Sequence, residues 1–299
     1  MIVERINVEN SKAHLQLIPT LGGGIAHLDV RHPSGEWLPV FRPWNGRMED
    51  GPFELGCNVL VPFSNRISRG GFEHDGVFHR IPANLVGEPF PIHGDGFQRC
   101  WRLLARNGDT AELECDGEIG PFRYLARQVF TLGTEKLEAK LTVQNLSGQP
   151  LPFGVGFHPW FPRNAGTRLQ FRATEVWLED REHLPTGRRK LCEVPDWNFD
   201  QGRALPDQWI NNAFGGWAGE AVITQGEGAV SVRISASDNL AYALLYSPDA
   251  KADFFCFEPV SHPVDAHNLV GRPGLKILED GQELTGSMSL EWEETYGTR

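Results

Sequence analysis

The sequence predicts an all-β protein, a large antiparallel β-sandwich with few short helices. Three observations support this prediction. Apolar and polar residues alternate with a period of two in several segments, which is typical of strands that bury one face. Glycine and proline, with 33 and 21 copies, are spread over the whole chain, as they are between many short strands and turns. No amphipathic helical stretch of twelve residues stands out.

The alternation is clearest in three segments, and each is a predicted strand. They are 136–144, 229–235 and 287–293, where aliphatic residues, methionine or tryptophan occupy alternate positions. Turn-forming sequences such as Asp280-Gly281-Gln282 separate the predicted strands. A single short helix is expected, around 204–212.

The chain shows neither an internal repeat nor a shift in composition that would mark a domain boundary. Residues 1–299 are therefore expected to form one β-sandwich domain. The 39 acidic and 28 basic residues give a formal net charge of −11. Because an acidic surface repels phosphate backbones and anionic lipids, we expect no binding to nucleic acid or to a membrane.

Targeting signals and cysteine usage both favour the cytoplasm. The first residues, Met1-Ile2-Val3-Glu4-Arg5, are not a basic stretch followed by a long apolar one, so no signal peptide is expected. No segment approaches the roughly 18 uninterrupted apolar residues of a membrane-spanning helix. The five cysteines are odd in number and widely spaced without a Cys-x-x-Cys pair, which is typical of reduced thiols.

Three segments, 58–99, 153–163 and 253–268, are richer in polar and charged residues than a strand requires. In the first, Arg66 stands among apolar neighbours. A buried guanidinium needs acceptors, so Arg66 either binds a ligand or forms a structural salt bridge. His93 precedes a Gly-Asp-Gly turn that brings its ring to a surface or cleft, where it is either structural, solvated or ligand-binding.

The other two segments each carry one candidate for proton transfer. His158 lies among large aromatic rings and is followed by Pro159, which favours an extended backbone. Apolar surroundings favour a neutral imidazole that exchanges a proton; the alternative is a buried structural histidine.

Glu258 ends an apolar run before Pro259. Partial burial would raise its pKa and suit it to act as a general base. The alternative is a structural carboxylate, with Arg66 as its partner.

Other chemistries lack their sequence signatures. His74 with His79, and His262 with His267, have no cysteine or carboxylate partner in a recognisable zinc-binding pattern. The chain contains no G-x-S-x-G, G-x-G-x-x-G or G-x-x-x-x-G-K-[ST] motif. We therefore expect no metal, no nucleotide cofactor and no serine nucleophile.

Taken in order, these segments resemble the aldose 1-epimerase (galactose mutarotase) family. Each motif alone is weak evidence, but their common order over nearly the whole chain is specific. The matching motifs are Leu21-Gly22-Gly23-Gly24-Ile25, Asn65-Arg66 after Pro62-Phe63, His93-Gly94 followed by Gly96-Phe97, His158-Pro159-Trp160-Phe161, Phe257-Glu258-Pro259 with Asn268 downstream, and Leu275-Lys276-Ile277-Leu278 before Gly281-Gln282.

The resemblance implies a galactose mutarotase-like supersandwich with an open carbohydrate cleft, present as a monomer or homodimer. It implies an isomerase that interconverts the α and β anomers of a free aldose without a cofactor. In the family, the positions of His158 and Glu258 carry the general acid and the general base. The positions of Asn65, Arg66 and His93 bind hydroxyl groups of the sugar.

Two further positions matter for the substrate. Trp160 or Phe97 is expected to pack on the apolar face of the sugar. Many family members carry an aspartate shortly before an apolar-Phe pair, where this chain has Asn211. A neutral amide would then replace a charged acceptor of sugar hydroxyls, which affects the preference for galactose more than the chemistry.

Three alternatives remain open at this point. A hexose-6-phosphate 1-epimerase would need a cationic phosphate pocket, to which Arg69 or Arg99 would contribute. A non-catalytic carbohydrate-binding protein could use the same fold, although binding alone requires no acid–base pair. A glycoside-cleaving enzyme would need two carboxylates at the scissile bond, and only Glu258 is a clear candidate.

Overall fold

The computed structural model describes residues 4–292, and within this range the chain forms 24 β-strands and no α-helix. Alternation of buried and exposed side chains along the strands accounts for this architecture. The strands are β1 (Ile6–Glu9), β2 (Ala13–Ile18), β3 (Gly24–Arg31), β4 (Trp37–Pro39), β5 (Cys57–Leu60), β6 (Gly71–His74), β7 (Val77–Arg80), β8 (Arg102–Asn107), β9 (Thr110–Ile119), β10 (Phe122–Leu132), β11 (Lys136–Asn145), β12 (Leu151–Phe153), β13 (Gly156–Pro162), β14 (Arg168–Phe171), β15 (Glu175–Glu179), β16 (Pro185–Lys190), β17 (Arg203–Ala204), β18 (Ile210–Gly215), β19 (Glu220–Thr224), β20 (Val232–Ala236), β21 (Tyr242–Ser247), β22 (Phe254–Val260), β23 (Lys276–Leu278) and β24 (Glu283–Trp292).

Short 3₁₀ helices occupy several of the connections. They lie at Met48–Asp50, Pro52–Glu54, Ser68–Gly70, Gly96–Gln98, Leu191–Glu193, Pro195–Trp197 and Ala266–Asn268. Among residues 4–292, no helix is long and apolar enough to span a bilayer.

Two large antiparallel sheets make up most of the molecule. The first has eleven strands in the order β1-β2-β3-β5-β13-β22-β21-β18-β15-β16, with β4 paired to β3. The second has nine strands in the order β17-β14-β19-β20-β24-β11-β10-β9-β8. The main hydrophobic core takes side chains from both sheets, such as Leu15 and Val59 from the first and Leu113 and Leu141 from the second. The predicted antiparallel β-architecture is confirmed.

The three predicted strands are present with adjusted ends. Strand β11 matches the prediction for 136–144, whereas β20 begins only at Val232. Strand β24 is longer than predicted at its start, and Glu293 lies outside the described residues.

The helix expected around 204–212 is wrong, because this stretch contains the end of β17 and the start of β18. Pro206 lacks a backbone N–H and disfavours the helical conformation of the residue before it. Beyond it, Trp209 is exposed, and β18 begins at the buried Ile210.

Six neighbouring strands of the larger sheet, β5, β13, β22, β21, β18 and β15, carry the polar side chains of interest. The register places Trp160 opposite Cys256, and Cys256 opposite Tyr246. Tyr246 in turn lies opposite Asn211. Since alternate residues of a strand share a face, His158 points to the same side as Trp160, and Glu258 to the same side as Cys256.

The long connection 61–101 contains the hairpin β6–β7 and is called the loop 61–101 below. It is fixed over this part of the sheet by contacts with the two other polar segments. The backbone N–H of Gly154 donates to the carbonyl of Pro62, and that of Asp265 donates to the carbonyl of Arg66. The backbone N–H of Ser64 donates to Nε2 of His262 at 3.1 Å. These hydrogen bonds bring the segments around 65, 158 and 258 together although they are far apart in sequence.

Candidate functional site

An open cleft of about 320 Å³ lies on this sheet, under the loop 61–101. Its size is that of a small-molecule site, and its walls are mixed aromatic and polar. It is lined by Phe53, Asn65, Arg66, Leu85, Glu88, Ile92, His93, His158, Trp160, His183, Trp209, Asn211, Tyr246 and Glu258. All seven site residues predicted from the sequence therefore lie in one cleft.

His158 and Glu258 face each other at the cleft floor. Nε2 of His158 lies 3.5 Å from Oε1 of Glu258, and the two residues are only 6% and 3% exposed. Nδ1 of His158 and Oε2 of Glu258 have no hydrogen-bond partner among the described residues. Because unsatisfied buried polar atoms are costly, these two side chains are poised to bond a ligand.

Burial shifts the pKa values of this pair in opposite directions. It raises the pKa of Glu258 to about 8, against a smaller lowering by the charge of Arg66. It lowers the pKa of His158 to about 3. Both shifts have the same cause, since a buried site disfavours the charged form of either group. Between these two values the pair holds one proton.

Aromatic rings fix the imidazole of His158. The ring stacks on Trp160 with centroids 4.9 Å apart and an interplanar angle of 13°, and Phe53 packs nearby at 5.8 Å. The guanidinium of Arg42 lies 4.2 Å from the Trp160 ring centroid and donates to the carbonyl of Phe53. Trp160 thus contacts both a cation and the imidazole, which holds both rings in place.

The backbone of Asn65 holds the ring of His93. The backbone N–H of Asn65 donates to Nδ1 of His93 at 3.0 Å, so in the neutral ring Nε2 carries the proton. Burial lowers the pKa of His93 well below its usual value, with a further contribution from His158. His93 is therefore a neutral donor in the cleft rather than a cation.

Arg66 is bound to a carboxylate that the sequence analysis did not single out. Its Nε and Nη2 donate to the two oxygens of Glu88 at 2.9 and 2.7 Å. Nη1 makes a longer contact of 3.4 Å with Oδ1 of Asn65. The alternative that Arg66 neutralises Glu258 through a salt bridge is wrong, because the bidentate partner is Glu88.

Asn211 also lines the cleft, and the sequence did not predict its neighbours. Its Nδ2 donates to Oε2 of Glu179 at 3.0 Å. The same carboxylate accepts from Nε1 of Trp209 at 2.8 Å and contacts Nδ1 of His183 at 3.0 Å. No local sequence pattern indicates this group, since it depends on the pairing of β15 with β18 and on the turn after β15.

Three residues considered for the substrate lie elsewhere. Phe97 is fully buried and stacks on Phe53. Phe53, instead of Phe97, lines the cleft. Arg69 is paired with Glu73, and Arg99 with Asp95, and neither arginine lines the cleft.

A possible metal-binding group coincides with the same floor. Among residues 4–292, only His158, Cys256 and Glu258 place three donor atoms within 4.8 Å of one another. Burial raises the pKa of the Cys256 thiol well above its usual value. Because the thiolate is the ligand form of cysteine, the cleft disfavours the state that a metal would need.

Comparison with known proteins agrees with this architecture. The sequence model of a family described as aldose 1-epimerase matches residues 4–291. The uncharacterized protein YphB of Escherichia coli K12 is 34% identical over 292 residues, covering 92% of this chain and 99% of that protein. The uncharacterized protein YihR of the same organism is 27% identical over 277 residues, covering 89% and 86%.

Solved structures show the same fold. A candidate aldose 1-epimerase from E. coli K12 superposes with a TM-score of 0.90 at 29% identity, covering 98% of this chain and 99% of that one. A galactose mutarotase-like protein from Clostridium acetobutylicum gives 0.83 at 20% identity, covering 97% and 95%. With a family match over nearly its whole length and a relative above 30% identity, the chain belongs to the aldose 1-epimerase family.

Proposed function

We propose that the chain is a mutarotase that interconverts the α and β anomers of a free, unphosphorylated aldose. The observation that carries the proposal is the His158–Glu258 pair, 3.5 Å apart on the cleft floor, with one polar atom on each side chain that has no hydrogen-bond partner within residues 4–292. Membership of an epimerase family supports an isomerase in general, and the pair supports this reaction in particular.

The reaction needs two proton transfers, one at each of two oxygen atoms that share a carbon. The hydroxyl oxygen and the ring oxygen of a pyranose are both bonded to C1, so the groups that serve them must lie close together. Glu258 takes the proton of the C1 hydroxyl while His158 gives a proton to the ring oxygen, and the C1–O5 bond breaks. Rotation about C1–C2 exposes the other face of the aldehyde. Ring closure returns both protons, so the cycle has no net proton change.

One shared proton is the amount that this cycle requires. Ring opening starts with one proton on His158, which passes to the ring oxygen, and ends with one proton on Glu258, which comes from the C1 hydroxyl; closure reverses both transfers. Burial favours the form with a neutral imidazole and a protonated carboxyl. That form contains the same number of protons as the form that begins ring opening, so the two differ only in the proton's position. Positioned proton transfer of this kind accelerates reactions by about 10²–10⁴-fold.

The other predicted residues would hold the sugar. His93 offers its Nε2–H as a donor, Asn211 and Asn65 offer amide groups, and Trp160 presents a ring beside the pair. Polar groups at fixed positions on an aromatic wall are typical of carbohydrate sites, because pyranoses have both hydroxyl edges and apolar faces.

The charges in the cleft favour a neutral sugar over a sugar phosphate. Nε and Nη2 of Arg66 already donate to the carboxylate of Glu88. Glu258 is a second carboxyl group in the lining. Arg69 and Arg99, the candidates for a phosphate pocket, lie outside the cleft with carboxylates of their own. A phosphate dianion would therefore find no arginine in the cleft lining that is free of a carboxylate partner.

Anomer exchange of freshly dissolved α-D-glucose, α-D-galactose and glucose 6-phosphate, followed by polarimetry or NMR, tests the proposal. We expect acceleration with at least one free aldose and a lower kcat/KM with the phosphate. Higher kcat/KM on glucose 6-phosphate would instead favour a hexose-6-phosphate 1-epimerase. Sugar binding without anomer exchange would favour a non-catalytic carbohydrate-binding protein.

A further inference from the structure

Glu179 organises part of the cleft wall. It ends β15 and lies across from Asn211 on β18, with a side chain that is 17% exposed. Its carboxylate contacts three side chains of the cleft lining: Oε1 contacts Trp209, and Oε2 contacts Asn211 and His183. Trp209 and His183 also stack on each other, with ring centroids 5.2 Å apart.

This carboxylate determines which way the Asn211 amide points. An ionised carboxylate accepts hydrogen bonds and donates none, so the group of Asn211 that faces Glu179 must be the NH₂. The oxygen, Oδ1, is then the atom left for the cleft. Asn211 has no hydrogen bond to Oδ1 from any of residues 4–292.

We propose that Glu179 is a positioning residue that fixes Asn211 as a hydrogen-bond acceptor for a hydroxyl of the sugar. The inference rests on the proposed function, since it names how one wall of that same cleft selects its substrate. Asn211 then accepts from a hydroxyl without adding a negative charge to the cleft. The negative charge lies instead on Glu179, whose carboxylate is in contact with Asn211, Trp209 and His183.

The arrangement makes the two positions interdependent. In Glu179→Gln, the indole N–H of Trp209 can only donate, so it pairs with the side-chain oxygen of the glutamine. The glutamine NH₂ then faces Asn211, whose amide must turn its oxygen towards it and its NH₂ towards the cleft. In Asn211→Asp, two carboxylates would face each other where the atoms are now 3.0 Å apart, and like charges at that distance repel.

The double variant Glu179→Gln/Asn211→Asp should restore the acceptor. One oxygen of the new aspartate accepts from the glutamine NH₂, and the other faces the cleft as Oδ1 does in the natural chain. Interacting residues show such non-additive behaviour, and a double-mutant cycle measures it.

The experiment is this four-variant cycle, with kcat and KM measured on the aldose that the natural chain turns over best. For each single variant we expect kcat/KM to fall about tenfold or more, mainly through KM, because the hydroxyl of the bound sugar no longer meets a correctly placed acceptor at position 211. We expect the double variant to return to within about threefold of the natural chain. Glu182→Gln is the matched control, since it removes the same charge from the exposed side of the same turn and should have no effect.

Two results would overturn the proposal. A double variant no better than the poorer single variant would show that Glu179 supports only the local structure. Natural activity in all variants would show that Asn211 does not touch the sugar. If the natural chain turns over no aldose, the proposed function fails separately. In that case, calorimetric titration of the same variants with D-glucose and D-galactose tests the role of Glu179. The Kd values should follow the order expected for kcat/KM, with each single variant binding more weakly than the natural chain and the double variant. Absence of any binding overturns both claims.

Discussion

At the scale of single residues, the proposed reaction depends on one proton shared between two buried groups. His158 and Glu258 lie 3.5 Å apart, and burial lowers the pKa of the first to about 3 and raises that of the second to about 8. Since the proposed cycle needs one proton on the pair, it runs between these values and fails when the pair holds none or two.

This arrangement predicts the pH dependence of kcat/KM on a free aldose. As pH rises through about 8, Glu258 loses its proton and the pair has none left to give to the ring oxygen, so kcat/KM should fall. From pH 5 to 7 it should be nearly constant. Polarimetric rates, corrected for the spontaneous reaction in the same buffers, check this. A kcat/KM that rises steadily from pH 7 to 9 is the contrary result.

The sequence predicts the members of the site better than their partners. Order and spacing identify His158, Glu258, Arg66 and His93, because these positions carry a family resemblance. The same sequence does not reveal that Arg66 binds Glu88. That partner lies 22 residues further on in the same loop, and only the folded path of the loop brings the two together.

At the scale of structural elements, the loop 61–101 and strands β13 and β22 form the site together. A parallel bridge between Val61 and Gly94 fixes the turn that presents His93. Gly94 has a φ of 65°, and a Cβ there would lie 2.0 Å from the carbonyl oxygen of Val61. The position therefore needs glycine both for its backbone conformation and for its close approach to the neighbouring backbone.

We predict that Gly94→Ala lowers both stability and kcat/KM. A side chain in the left-handed region costs about 1–3 kcal/mol, and the clash with Val61 adds to this and displaces His93. Gly87→Ala is the matched control, since Gly87 has a φ of 88° in the same loop but nothing within 4 Å of its Cβ. Thermal unfolding and steady-state kinetics measure the two effects. Equal losses in both variants would argue against a role for the clash.

Element prediction succeeded where alternation was regular and failed where it was short. Strand β11 follows the period-two pattern over its whole length. The stretch 204–212 contains an end of one strand and the start of another, too little of either to show a period. Its side chains also do not all pack in the core, since Trp209 and Asn211 line the cleft.

At the scale of the whole molecule, one core connects the two sheets. The main cluster of buried apolar side chains extends in sequence from Ile6 to Trp292 and includes residues of both sheets. The cleft strands contribute to it as well, through Phe157 and Phe161 of β13 and Phe257 of β22. The floor of the site is thus the outer face of strands whose other face forms the core.

This continuity predicts a single cooperative unfolding transition. Neither sheet can leave the other without exposing the shared core, so residues 1–299 should unfold as one domain. Differential scanning calorimetry checks this by comparing the calorimetric and van't Hoff enthalpies, which should agree. Two separated transitions, or a van't Hoff enthalpy well below the calorimetric value, would contradict the expectation of one domain.

The most direct test of the central claim is the anomer exchange of α-D-glucose and α-D-galactose with the natural chain and with Glu258→Gln. Glutamine keeps the size and shape of the side chain and removes its ability to take the proton. We predict that the natural chain accelerates exchange of at least one sugar and that the variant, with its fold verified by circular dichroism, loses about 10²–10⁴-fold of kcat. A Glu258→Gln variant that keeps the full natural rate on that sugar would contradict the account.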